Sequence, residues 1–250
     1  MQSDDLAYFE SEEFRTILNQ YEESVESEHP VYIDADDLAD IADYYQYNGF
    51  PEKAKIAIDL ALEYNPDAVG PLLFKAREAI VGNDYDTARE YAEKVEAVDR
   101  TEAIYLKGEI LICQGKVEEA DQYFIKQMKD VMTDELQDYV FDVANIFSDY
   151  DQHDKALQWM ARSQGDDSDS FKELMAHTLF GLGKYKDSER IFNELIDHDP
   201  YSIRYWNGLA NAQFMREDYS AAITSSEYAI AIDPKDPESL LSKEIGRAHV

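Results

Sequence analysis

Cysteine is nearly absent from this 250-residue chain: Cys113 stands alone, so no internal disulfide can form. Basic side chains are scarce as well. Lys and Arg total 23 against 54 Asp and Glu, a formal charge of −31. Such a surface repels phosphate backbones and anionic lipid headgroups, so neither nucleic acid nor a membrane is expected as a partner. No stretch approaches the roughly 18 apolar residues that a membrane span needs. The opening residues, MQSDDLAYFESEEF, lack the basic region and apolar core of a signal peptide. A cytoplasmic location is therefore expected. The acidity itself has two open readings, general solubility or a dedicated basic partner.

Catalytic signals are missing too. The five histidines, His29, His153, His177, His198 and His249, are dispersed, and none has H-E-x-x-H spacing. The acidic knots DADDLAD, DYDQHD and GDDSDS lack the ligand order of a calcium loop and read as solvated turns. Cys113 lies in the apolar run ILIC with no cation nearby in sequence, which predicts a buried, inert thiol. No glycine-rich loop is spaced to hold a nucleotide. No enzyme, cofactor or metal is expected.

What is present is a period. In IRYWNGLANAQFMREDYSAAITSSEYAIAIDP (203–234), Trp206, Leu209, Ala210, Gln213 and Phe214 fall on one side of a first helix. Glu217-Asp218 interrupts the pattern. A second helix then runs through Ala222, Ile223, Tyr228, Ala229 and Ile232 to Asp233-Pro234, where the residue before proline is steered out of helix. A small residue recurs in each second helix: Ala54, Ala88, Ala120, Ala156, Ser188 and Ala222, at spacings of 34, 32, 36, 32 and 34. A small side chain suits a close helix crossing. Turns precede each marker, and Gly49, Gly115, Gly183 and Asn83 suit the left-handed position at a helix C-terminus.

These residues match W-x-x-L-G-x-x-Y…A-x-x-x-F…P, with Ala210, Gln213 and Ser226 replacing the glycine, tyrosine and phenylalanine of that pattern. The chain resembles the tetratricopeptide repeat family. The resemblance implies an all-α, right-handed superhelical solenoid of stacked antiparallel helix pairs. Residues 35–234 would hold six degenerate repeats. Residues 1–34 would form an amphipathic capping helix with the stripe Phe9, Phe14, Ile17, Leu18 and Tyr21, stopped at His29-Pro30. The alternative for this segment is a tail that docks in a groove. Residues 235–250 begin a seventh repeat. Residues 244–250, EIGRAHV, spell the translation of a common sequencing adapter, GAGATCGGAAGAGCACACGTC, so further repeats are expected in the natural protein.

By the same resemblance the function is a non-catalytic scaffold whose first helices line a concave groove for a peptide or helix. Paired slots four residues apart are Ala39/Asp43, Leu73/Arg77, Tyr105/Glu109, Phe141/Asn145, Glu173/His177 and Asn207/Asn211. Gln46, Ile80, Ile112, Ser148, Phe180 and Phe214 come one turn later. The partner-binding residues expected are Leu73, Arg77, Tyr105, Glu109, Phe141, Asn145, His177, Asn207, Asn211 and Phe214. The family's carboxylate clamp is not expected, because Arg77, Asn145, Asn207 and Asn211 are scattered and no lysine joins them. The groove would be apolar in its middle and acidic at intervals, which favours a segment with apolar anchors and a few Lys or Arg. Leu73, Ile80, Ile112 and Phe180 have a second reading as inner packing residues. Two other function classes stay open: a self-assembling structural protein, and a regulatory part of a longer chain.

Overall fold

Apolar residues at three- and four-residue steps between turn signals make helices. The computed structural model describes residues 8–9, 11–27, 32–163 and 165–249, and these contain helices and no β-strand. In order they are α1 (Glu12–Ser27), α2 (Ala35–Tyr47), α3 (Pro51–Tyr64), α4 (Val69–Val81), α5 (Tyr85–Glu96), α6 (Arg100–Cys113) and α7 (Val117–Gln127). α8 (Leu136–Asp149), α9 (His153–Met160), α10 (Asp169–Gly181), α11 (Tyr185–His198), α12 (Ile203–Met215), α13 (Tyr219–Ile232) and α14 (Pro237–Arg247) follow. The stop at His29-Pro30 and the terminal Val250 lie outside the described residues. No described helix is long and apolar enough to cross a membrane. The chain divides into two compact units, Met1–Lys116 and Val117–Val250.

The turns explain why the helices come in pairs. Each first helix ends at one residue with positive φ: Gly49, Asn83, Gly115, Asp151, Gly183 and Glu217. The three glycines and Asn83 tolerate that conformation, as the sequence leads one to expect. Asp151 tolerates it less readily, and Glu217 carries no such signal. Glu217 is exposed at φ 64°, and its Cβ opposes the left-handed backbone. Glu217→Gly is expected to raise stability by about 0.5–1 kcal/mol, read as a higher denaturant midpoint. Pair exits follow a second rule. Asn65, Asp199 and Asp233, each before a proline, are extended, with φ between −141° and −127°. Asp99 does the same without a proline, and its carboxylate accepts from the N–H groups of Thr101 and Glu102 to cap α6.

All six small markers are buried. In the first unit, Leu38, Ile41, Ala42, Ala54, Ile58 and Ala61 form one core with Phe14 and Tyr21 of the N-terminal stripe. Phe14 also meets the Tyr44 ring, with centroids 5.3 Å apart, and the Tyr45 hydroxyl donates to Glu22. Ile80 and Ile112 are buried, which settles them as packing residues, whereas Leu73 and Phe180 are half-buried. Cys113 is half-buried rather than buried: it packs beside the α4–α6 core at a helix end, where the Tyr85 hydroxyl donates to its carbonyl.

In the second unit Phe124 meets Phe147 and Trp159 edge-on, and a further core gathers Phe192, Leu195 and Leu209. Within each unit successive helices pack against one another, and first helices also contact first helices: α2 with α4, α4 with α6, α8 with α10, and α12 with α14.

Candidate functional site

Because α2 and α4 lie side by side, their shared face belongs to two pairs at once. A cavity of about 390 Å³ opens there. Ala39, Leu73, Phe74 and Val81 supply its apolar lining, and Asp36, Asp40, Asp43 and Glu78 its carboxylates. Gly70 permits the close approach of the two helices. A Cβ at that position would sit 3.1 Å from both the Ala39 Cβ and the Asp36 Oδ1. The Gly70 N–H donates to Asp36 Oδ1 at 3.4 Å, which places a carboxylate at the α4 N-terminus, where the helix dipole favours it.

Five slot residues named from the sequence, Ala39, Asp43, Gln46, Leu73 and Arg77, meet in this one cavity. Arg77 also reaches α6: its Nη2 and Nε donate to the two oxygens of Glu109 at 3.2 and 3.4 Å. Glu109 is 5% exposed, so its charge is held by this forked contact and is little available to a ligand. Tyr105, one turn earlier on α6, is half-buried.

The carboxylates act on one another. Burial pushes the Asp40 carboxyl up to about 6, helped by Asp43, Asp37 and Asp36, while a hydrogen bond from Tyr8 opposes the rise. Asp37 is raised by burial and by Asp34, Asp36 and Glu13. The Tyr8 phenol is raised by burial and by Asp40 and Asp37. Among the described residues no group of three His, Cys, Asp or Glu is placed to hold a metal ion.

A carboxyl raised in the folded state binds protons there that the unfolded chain has already lost. The contribution of Asp40 to stability therefore falls as pH rises from about 4 to about 6 and is flat above that. Asp40→Asn removes the effect. It is expected to stabilise the fold near neutrality by about 1 kcal/mol, a figure reduced for the half-exposed position. The gain should vanish near pH 4, which denaturant titrations at the two pH values would read.

In the second unit the assigned residues do not gather in this way. Phe141 and Asn145 are half-buried on α8. His177 is exposed on α10, 3.9 Å from Glu173 and edge-on to the Phe192 ring. Arg204 holds the same Glu173 at 3.4 Å. Asn211 donates to Glu238, and the Phe214 ring packs on Tyr219. Asn207 is turned inward. Its amide donates to Asp236 and accepts from the buried Ser239 hydroxyl, tying α12 to the start of α14. Burial would raise the Asp236 carboxyl, but the bonds from Ser239 and Asn207 outweigh it and hold the carboxyl low. Asn207 is therefore buried and engaged by neighbouring side chains.

Asp36, Asp40, Phe74, Glu78 and Val81 line the cavity without having been assigned from the sequence. The knot DADDLAD and the Asp43 just after it carried the signal: Asp36, Asp40 and Asp43 recur at helical steps on one face.

Comparison with known proteins agrees with this architecture. Residues 174–237 match the family model for the tetratricopeptide repeat. Yeast Tom70 is similar in structure, with a TM-score of 0.57 at 15% identity over 94% of this chain and 58% of that one. The type IV pilus biogenesis factor PilW matches with a TM-score of 0.52 at 16% identity, over 83% of this chain and 97% of its own. YrrB, described as a TPR protein with an unusual peptide-binding site, gives 0.47 at 19% identity over 75% and 98%. No curated protein sequence matches the chain. Residues 174–237 thus match the tetratricopeptide repeat model, and the helix pairs with their buried small markers give the described residues a tetratricopeptide-like fold.

Proposed function

We propose that the chain is a non-catalytic protein-interaction module that receives a peptide or helix of another protein on its first-helix face. The partner segment carries apolar anchors and a few Lys or Arg side chains. The cavity over α2 and α4 carries this reading, because it joins Leu73, Phe74 and Val81 to a set of carboxylates in one concavity. An apolar side chain buried there contributes about 1.5–3 kcal/mol, which a surface charge contact alone does not reach. The carboxylates then select among apolar segments by sign of charge.

The test is fluorescence anisotropy with a labelled amphipathic peptide of leucine and lysine, beside a leucine–glutamate control. Binding of the lysine peptide alone is expected, and Leu73→Glu should weaken it at least about tenfold, or 1.4 kcal/mol. Equal binding of both peptides, or an unchanged Leu73→Glu, would remove the cavity from the account.

A further inference from the structure

The inference rests on the partner-binding reading above and concerns what enters the cavity and what competes with it. Asp40 lines the cavity in the middle of the α2 face, one turn from both Asp36 and Asp43. Around it, α2 contributes Asp36, Asp37 and Asp43. The segment before α1 contributes the Tyr8 hydroxyl, and α1 contributes Glu13. From α4 come Arg77 and Glu78. Arg77, the cation among the described lining residues, donates to Glu109 on α6, and Glu78 lies 3.5 Å from the Lys75 ammonium. The lining thus concentrates negative charge over an apolar floor, with its own arginine engaged by a buried glutamate. We propose that the cavity seats a single Lys or Arg side chain of the partner against Asp40, with an adjacent apolar residue on Leu73, Phe74 and Val81, and that a proton on Asp40 competes with that side chain.

The chemistry sets the sign. A carboxyl crowded by like charges, half-removed from water, takes up a proton readily, and the protonated form no longer offers a cation an opposite charge. A bound ammonium or guanidinium relieves the same crowding and expels the proton. Binding therefore releases protons, and affinity rises with pH until Asp40 is ionised in the free protein. The free carboxyl sits at about 6. Affinity is then about tenfold higher at pH 7 than at pH 5 and flat above. Tyr8 modulates this midpoint. Its hydroxyl donates to Asp40 and favours ionisation, so Tyr8 is part of the seat and not a bystander.

The experiment measures the anisotropy of the leucine–lysine peptide across that pH range with wild type, Asp40→Asn and Tyr8→Phe, each checked for native helicity. The expected result is a pH-dependent affinity for wild type and a weak, flat profile for Asp40→Asn. Tyr8→Phe should shift the midpoint upward, a change that simple loss of packing does not produce. Binding of equal strength at both ends of the range, with Asp40→Asn like wild type, would overturn the proton competition and leave the cavity reading standing. No binding at any pH would overturn both.

Discussion

Asp121→Ala is expected to lower the stability of the second unit by about 3 kcal/mol, the largest loss of any single polar substitution considered for it. Asp121 is 6% exposed on α7 and serves two donors on α9. Its Oδ1 accepts from the Trp159 indole at 2.9 Å, and its Oδ2 from the Lys155 ammonium at 3.0 Å. Alanine leaves the indole N–H without its acceptor beneath a fully buried ring, and leaves Lys155 only the exposed Glu118. An unmet buried donor costs about 1–3 kcal/mol, and a broken, largely buried charge pair adds to it. Asp121→Asn keeps an acceptor for the indole and removes the charge, so its loss should be about half as large. Chemical denaturation followed by Trp159 fluorescence orders the three proteins. Equal midpoints for wild type and Asp121→Ala would show that the buried contact contributes nothing.

The second large effect is steric. Gly208 faces Phe192, and a Cβ built there would lie 2.3 Å from the ring Cζ. Phe192 is a buried core ring, contacted edge-on by His177, with nowhere near to go. Gly208→Ala gains about 1 kcal/mol of helix propensity, and displacing the ring costs more than that. The expected net loss is about 1–2 kcal/mol. Pairing it with Phe192→Leu should recover part of the loss, because the smaller side chain vacates the overlap. Strict additivity of the two single effects would show that the helices do not meet at this point.

These two positions mark where the sequence stops being legible. Gly49, Asn83, Gly115 and Gly183 announce their turns because a left-handed backbone selects residues locally. Ala54 or Ala222 announces a crossing because the period repeats it. Gly208 announces nothing, since the reason for it is a ring 16 positions earlier on another helix. Asp121 and Lys155 look like solvated charges until α7 and α9 bring them to one buried indole. Glu217 occupies a turn position that the period demands and the residue type resists.

The candidate site was legible to the same depth. Slots four residues apart put Ala39 with Asp43 and Leu73 with Arg77 on common helix faces, and all four line the cavity, because that spacing is a property of the helix itself. The same spacing does not reveal the direction of Asn207, which Asp236 and Ser239 at the start of the next helix set. It also passed over Asp40, one residue and roughly 100° from Ala39, which a cavity wall curving around the helix includes.

Backbone amide chemical-shift mapping of the isotope-labelled protein, titrated with the leucine–lysine peptide near neutral pH, tests the central claim most directly. The account predicts that the largest shifts fall on α2 and α4, around Asp40, Asp43, Leu73 and Phe74, and that Leu73→Glu abolishes them. Shifts confined to other helices, or none at concentrations where the peptide binds, would contradict it.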